Sequence, residues 1–171
     1  MTLPGLYEWK VTAQAVTQLE IPAGHLLVQF ALLDHQLDYL LMKVFMPARR
    51  ANLIAKMPYQ TGDKINSLKL AFDKLETLGK WRDRASRLLS EIARMNDVRN
   101  TIAHGGLADY SDAPEATYVF NRLRYRKPDE VYFLKCEALT LREICACADQ
   151  IDDVVGEMLD LAADVHGIKR P

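Results

Sequence analysis

One short segment of the chain collects four side chains that can do chemistry: Asn96, Arg99, Asn100 and His104. A histidine can accept or donate a proton near neutral pH, because its ordinary pKa lies in that range. An arginine guanidinium can hold a phosphate through two parallel hydrogen bonds and stabilise negative charge that develops on it. These residue types indicate acid–base chemistry at an anionic substrate.

Arg99 also stands where a helix should bury an apolar side chain. Apolar residues recur there in steps of three and four, which predicts a helix with one buried stripe. The stripe runs through Ala85, Leu88, Ile92, Met95, Arg99 and Ile102. A guanidinium in such a stripe is costly unless it is paired or opens onto a water-filled site or an interface.

Each of these residues alone also has a purely structural explanation. Arg99 can extend along the bundle until its charge reaches water. His104 suits a helix C-terminus, where the helix dipole favours positive charge and Gly105 ends the helix. The two asparagines can face solvent. These explanations stay open residue by residue, but they leave the combination of Arg99, Asn100 and His104 unexplained.

The sequence Arg-Asn-Thr-Ile-Ala-His at 99–104 resembles the signature of the HEPN superfamily. That signature is an arginine, a polar residue directly after it, and a histidine after four to six intervening positions. In the superfamily the motif lies late in a helix of a small antiparallel bundle. The resemblance covers the motif and the order of the long helices around it, over 25–105 and 140–165.

The resemblance implies metal-independent cleavage of RNA without a cofactor, at a site that two motifs share across a homodimer interface. His104 would take the proton of a ribose 2′-hydroxyl or protonate the leaving oxygen, and Arg99 would hold the scissile phosphate. Asn100 would orient the histidine or the phosphate. The expected product carries a 2′,3′-cyclic phosphate.

The resemblance also implies a toxin or defence role, with an antitoxin or regulatory protein as partner. In the toxins of the superfamily that pair with a nucleotidyltransferase antitoxin, a tyrosine stands two residues after the histidine. Gly106 occupies that position here, and Tyr110 does not replace it. The chain therefore departs from the pattern of that branch.

Many HEPN domains keep the fold and act as binding or sensing modules. The alternative function is therefore a non-catalytic module that binds RNA or a protein, in which Arg99 and His104 are structural. A purely structural helical protein is a third alternative, but it leaves the arginine in the apolar stripe unexplained.

Amphipathic segments before the motif predict the helices that position it. We expect helices over 23–46, 64–78 and 81–104, with the first ending or kinking at Pro47. Gly105-Gly106 ends the motif helix, and a polar loop is expected over 107–116.

The pattern changes after that loop. Aromatic and branched residues around Lys127-Pro128-Asp129 predict a β-hairpin over 117–136. Thr140 and Glu143 form a capping-box signature that opens a C-terminal helix over 140–166. The predicted fold class is mainly α, an antiparallel HEPN-like helical bundle with a β-hairpin inserted before the last helix. We expect a single domain over 1–171, in which 1–22 form an N-terminal extension of undetermined conformation.

The balanced composition hides charged segments. The chain has 22 basic and 23 acidic residues, which argues against a protein whose composition alone marks it as a nucleic-acid binder. Residues 64–99, however, carry nine basic and five acidic side chains, whereas 137–165 carry one basic and eight acidic ones. Positive charge is therefore concentrated near the motif and in the hairpin.

The hairpin offers candidate RNA contacts. Strand alternation places its arginines on one side, downstream of Tyr118 and Phe120, and this combination suits phosphate contact and base stacking. The alternative is a solvated strand face. The predicted RNA contacts are Asn96, Arg122, Arg124, Arg126 and Lys127.

The cysteines and the charged residues of the first helix predict the compartment. Cys145 and Cys147 lack the second ligand pair of a zinc site, so we expect buried thiols and no metal. The first ten residues lack the apolar core of a signal peptide. The apolar stretch 26–45 is interrupted by charged or titratable residues, and we expect a cytoplasmic protein without a membrane partner.

Overall fold

The computed structural model describes residues 11–126 and 131–168, and for Arg126 the backbone alone. It is mainly helical, with a small antiparallel sheet before the last helix. The α-helices are α1 (Ala13–Arg50), α2 (Thr61–Lys74), α3 (Arg82–His104) and α4 (Leu141–His166), and a 3₁₀ helix covers Glu76–Trp81. The strands are β1 (Gly106–Ser111), β2 (Thr117–Arg126) and β3 (Val131–Thr140).

Helix α1 is longer at both ends than the sequence predicted. Thr12 caps its start by accepting a hydrogen bond from the Ala15 amide at 3.1 Å. The helix also continues through Pro47 to Arg50, so of the two predicted effects of this proline, an end or a kink, the end is wrong. Ala15 and Leu19 pack against the sheet, and this burial stabilises a turn that has weak helical signals of its own. Residues 13–22 of the expected extension are therefore helical, whereas 1–10 lie outside the described residues.

Two opposite faces of α1 differ in their surroundings. One face, which includes Leu26, Phe30 and Leu33, is buried against the other helices in the main core. The other face exposes Val28 and Met42. By length and composition alone α1 could cross a membrane, and 28% of its most apolar stretch is buried. A buried core helix satisfies the same test.

Helix α2 begins and ends earlier than predicted. Leu75 leaves the helix with an extended backbone, and the 3₁₀ helix that follows carries the predicted stop, Gly79, inside it. Lys64 holds α2 to α1 through Asp34 at 2.9 Å and Asp38 at 2.7 Å. Burial opposes its charge, but hydrogen bonds to the two carboxylates outweigh that effect and raise the pKa of Lys64.

The sheet has the order β1-β2-β3, with both neighbouring pairs antiparallel. Strands β2 and β3 confirm the predicted hairpin, whose turn at 127–130 lies outside the described residues. Strand β1 corrects the loop expected over 107–116, because pairing with β2 imposes an extended backbone on a segment without strong strand residues. The predicted capping box of Thr140 and Glu143 is confirmed at the start of α4.

The sheet packs directly on the end of the motif helix. A Cβ atom at Gly105 would lie 2.5 Å from the Thr101 carbonyl oxygen and 2.8 Å from the Phe120 Cβ atom. Only glycine fits this approach without a shift of the backbone. Tyr118 is fully buried beside Phe120, and its hydroxyl donates to the Ala15 carbonyl at 3.0 Å. These contacts place β2 next to the end of α3.

Candidate active site

A polar cleft of about 530 Å³ lies between the C-terminal half of α3, strand β2 and the turn before α2. Six residues that the sequence singled out line it, although α3 and β2 are separated in the chain. Helix α3 contributes Asn96, Arg99, Asn100 and His104, and β2 contributes Arg122 and Arg124. The structure thus brings the motif and two of the predicted RNA contacts of the hairpin, Arg122 and Arg124, to one place.

Arg99 lies at the boundary between the core and the cleft. Its guanidinium carbon lies 5.1 Å from the centre of the Phe30 ring, which attracts the positive charge. Its Nη1 donates a hydrogen bond of 2.8 Å to Asn100 Oδ1. Among the residues that the structure describes, no carboxylate forms an ion pair with it. The half-buried cation therefore keeps donors for an anion in the cleft.

The two asparagines of the motif helix differ in their contacts. Asn100 Oδ1 accepts from Arg99, and no bond from this side chain to His104 occurs. Of its two predicted roles, orienting the phosphate therefore has the better geometry, because Asn100 holds the arginine. Asn96 is only 8% exposed, and its Oδ1 is buried without a hydrogen-bond partner within the described ranges.

His104 is the last residue of α3 and is exposed at the cleft. In the described part of the chain, no side chain or backbone group forms a hydrogen bond with its imidazole. Both ring nitrogens are therefore accessible to a substrate.

The basic face of the hairpin forms one wall of the cleft. Arg122 and Arg124 are half-buried and lie on the same side of β2, as strand alternation predicted. Arg126 ends the strand, but its side chain and the whole of Lys127 lie outside the described residues.

Glu137 fixes β3 to the motif helix behind this wall. Its Oε2 accepts a 2.9 Å hydrogen bond from the Thr101 hydroxyl, and Lys135 forms an ion pair with the same carboxylate. The hydrogen bond from Lys135 is the largest cause that lowers the pKa of Glu137, with smaller contributions from Thr101 and the charge of Arg122. The carboxylate thus stays ionised and anchors the sheet.

The predicted aromatic contacts require a correction. Tyr118 and Phe120 are buried under α1 and α3, so neither ring can stack on a nucleobase. The alternation of side chains along β2 correctly placed the arginines on one side of the strand. It cannot show which end of the strand is covered by other elements. The sequence reasoning instead missed Tyr59, which is 92% exposed at the opposite wall of the cleft. The available signal was an aromatic residue inside the turn at 58–63.

The cysteines do not form a site. All three are free, with Cys147 buried as expected, Cys145 half-buried and Cys136 exposed. Burial is the largest cause that raises the pKa of Cys147, which makes this thiol unreactive. Within residues 11–126 and 131–168, no group of three or more histidine, cysteine, aspartate or glutamate side chains could hold a metal ion.

Comparisons of the chain with protein-family models, curated proteins and solved structures found no match. The function must therefore be inferred from the motif and from the cleft that surrounds it.

Proposed function

We propose that this chain is a metal-independent endoribonuclease of HEPN type, built on a helical bundle of that type, which cleaves RNA with Arg99 and His104. One observation carries the proposal: a single cleft combines the motif residues of α3 with Arg122 and Arg124 of β2. An acid–base residue, a phosphate-binding cation and further cations are the groups that RNA cleavage without metal requires.

The cleavage step uses the ribose as its own nucleophile. His104 accepts the 2′-hydroxyl proton while the 2′-oxygen forms a bond to phosphorus, and the bond to the 5′-oxygen of the next nucleotide breaks. The leaving oxygen takes up a proton, from the imidazolium or from water. The products are a 2′,3′-cyclic phosphate and a free 5′-hydroxyl.

Arg99 stabilises the negative charge that develops on the phosphate during this step. A guanidinium has five N–H donors, of which the structure assigns one to Asn100. The remaining donors suffice for a two-point contact with phosphate oxygens. Arg122 and Arg124 hold neighbouring phosphates of the strand, which supplies affinity without sequence preference.

We also propose a homodimer in which two motifs share the site. Support comes from His104, which is exposed at the end of α3 and leaves its imidazole open to a second chain. A mixture of Arg99→Ala and His104→Ala chains regains activity if the site is shared. It stays inactive if each chain forms a complete site.

A cytoplasmic toxin or defence enzyme fits this proposal, with an antitoxin or regulatory protein as partner and no membrane. Support for the absence of a membrane partner comes from α1, whose buried face forms the core with the other helices. Covering the cleft would suffice for inhibition, because Arg99 and His104 both line it.

A non-catalytic module that binds RNA or a protein is the second candidate. It is favoured by the absence of any described hydrogen bond that would orient the His104 imidazole. In that case Arg122 and Arg124 bind the ligand, and the motif only shapes the cleft.

The test is cleavage of a labelled single-stranded RNA by the purified protein, with and without a chelator. We expect cleavage in both conditions, and loss of it in Arg99→Ala and in His104→Ala. Matched controls are Arg49→Ala and His35→Ala, which remove exposed residues of the same types from α1, outside the cleft. Cleavage that survives either cleft substitution, or that requires metal, contradicts the proposal. Binding without cleavage supports the module.

A further inference from the structure

The N-terminus of α2 opens into the cleft without a cap. Gln60 is its N-cap residue, and among the described residues no side-chain capping hydrogen bond is formed there. Thr61 is the first helical residue, after the N-cap position, and its hydroxyl donates to Asp34 Oδ1 at 2.7 Å. Thr61 and Gly62 line the cleft, whereas the acidic Asp63 of the same turn does not. Free amides at a helix N-terminus bind phosphate.

A second, independent feature of the cleft also lacks a partner. Asn96 is more than nine-tenths buried and lines the cleft, and its Oδ1 accepts no hydrogen bond within the described ranges. A buried acceptor without a donor is unfavourable in the empty protein. A turn of the side chain toward the cleft would bring this acceptor within reach of a ligand hydroxyl or N–H group, which would satisfy it.

Tyr59 is a third feature of the same end of the cleft that could contact a ligand. Its ring is 92% exposed beside Gln60, at the mouth of the same cleft. An exposed ring at this position offers a surface on which a base can stack. Asn96 precedes His104 by eight residues, which corresponds to about 12 Å along the helix. A ligand at Asn96 and Tyr59 is therefore a neighbour of the group on which His104 acts.

We infer that this end of the cleft is a nucleotide subsite for single-stranded RNA, next to the position of the scissile phosphate. The free amides at the start of α2 bind a backbone phosphate, and Tyr59 stacks on the attached base. The Asn96 side chain turns toward the cleft, and its Oδ1 accepts a hydrogen bond from the ribose 2′-hydroxyl, which DNA lacks. This subsite rests on the proposed function, because it takes its orientation from cleavage at His104.

The test measures the affinity of a short fluorescein-labelled single-stranded RNA by fluorescence anisotropy, in the full chain carrying His104→Ala. Tyr59→Ala should weaken binding about 5- to 150-fold, and Tyr59→Phe should keep it. Tyr132→Ala is the control, since it removes an exposed tyrosine from the hairpin outside the cleft. Asn96→Ala should reduce the preference for RNA over the same DNA sequence about 2- to 10-fold.

Gly62→Asp tests the phosphate contact and should not destabilise the fold. A Cβ at Gly62 meets no atom within 4 Å, and an acidic residue in the first turn stabilises a helix. We expect an unchanged or raised melting temperature, and RNA affinity that falls about tenfold or more through charge repulsion. Gly24→Asp, at an equally open position on α1, should leave the affinity unchanged.

The outcomes separate the subsite from the nuclease. Wild-type protein that cleaves RNA, together with Tyr59→Ala and Gly62→Asp variants that bind normally, overturns the subsite alone. Variants that lose affinity in a protein without cleavage support the subsite and overturn the nuclease. No RNA binding at all overturns both. Adenosine monophosphate that competes as strongly as the strand would assign the subsite to free nucleotides and overturn the RNA assignment.

Discussion

Replacement of Arg99 by methionine separates a functional arginine from a structural one. The substitution removes the contact with Phe30 and the hydrogen bond to Asn100. Their loss costs about 0.5–1 kcal/mol for an exposed cation–π contact and about 0.5–1.5 kcal/mol for the hydrogen bond. Full burial of a methionine side chain stabilises a protein by about 1.5–3 kcal/mol. Because this position is half-buried, we expect roughly half of that stabilisation here.

The stability lost with the two contacts and the stability gained by burying methionine nearly cancel. We therefore expect the free energy of unfolding of Arg99→Met to lie within about 1 kcal/mol of wild type. That difference corresponds to a melting-temperature shift of no more than about 4 °C for a chain of this size. RNA cleavage should fall about 100- to 1,000-fold, as for the loss of one donor to a developing anion. Differential scanning calorimetry and an initial-rate cleavage assay measure the two quantities.

Leu88→Ala provides the matched comparison on the same helix stripe. Leu88 is fully buried, so its truncation should cost about 2–5 kcal/mol while the cleft residues remain. Retained cleavage in Arg99→Met would refute the functional interpretation of this residue. A loss of stability as large as that of Leu88→Ala would show instead that Arg99 is structural.

Three further substitutions test the elements that position the cleft. Gly105→Ala should destabilise the protein by about 1–3 kcal/mol in urea unfolding, because its Cβ would collide with Phe120. Thr140→Ala should cost about 1 kcal/mol of thermal stability by removing the cap of α4, with cleavage unchanged. Glu137→Gln should lower stability at neutral pH. The pKa of Glu137 is lowered in the folded state, so its contribution to stability is present above the ordinary value of 4.5 and disappears as the pH falls through the lowered value. The melting temperatures of wild type and variant should therefore converge as the pH is lowered through that range.

The motif helix shows what the sequence could predict. The spacing of Ala85, Leu88 and Ile92 and the glycines after His104 predicted α3 to within one residue at its start. Hydrophobic periodicity and cap residues are local, so they can be read from the sequence. The same holds for the capping box of α4 and for the common side of Arg122 and Arg124.

The errors concern features that depend on other parts of the chain. The first turns of α1 are helical because Ala15 and Leu19 pack on the sheet, and β1 forms because β2 pairs with it. The sheet lies far along the chain from α1, whereas β2 follows β1 after a short turn, and there the weak strand propensity of β1 concealed the pairing. Tyr59 escaped prediction because only the tertiary fold places its turn opposite α3.

The end groups of the RNA product test the central claim most directly. Single-stranded RNA incubated with the purified protein in the presence of a chelator should yield fragments with 2′,3′-cyclic phosphate and 5′-hydroxyl ends, identified by mass spectrometry. His104→Ala protein should yield none. Fragments with 3′-hydroxyl and 5′-phosphate ends, or cyclic phosphate formed equally by the His104→Ala protein, would contradict cleavage by the Arg99 and His104 motif.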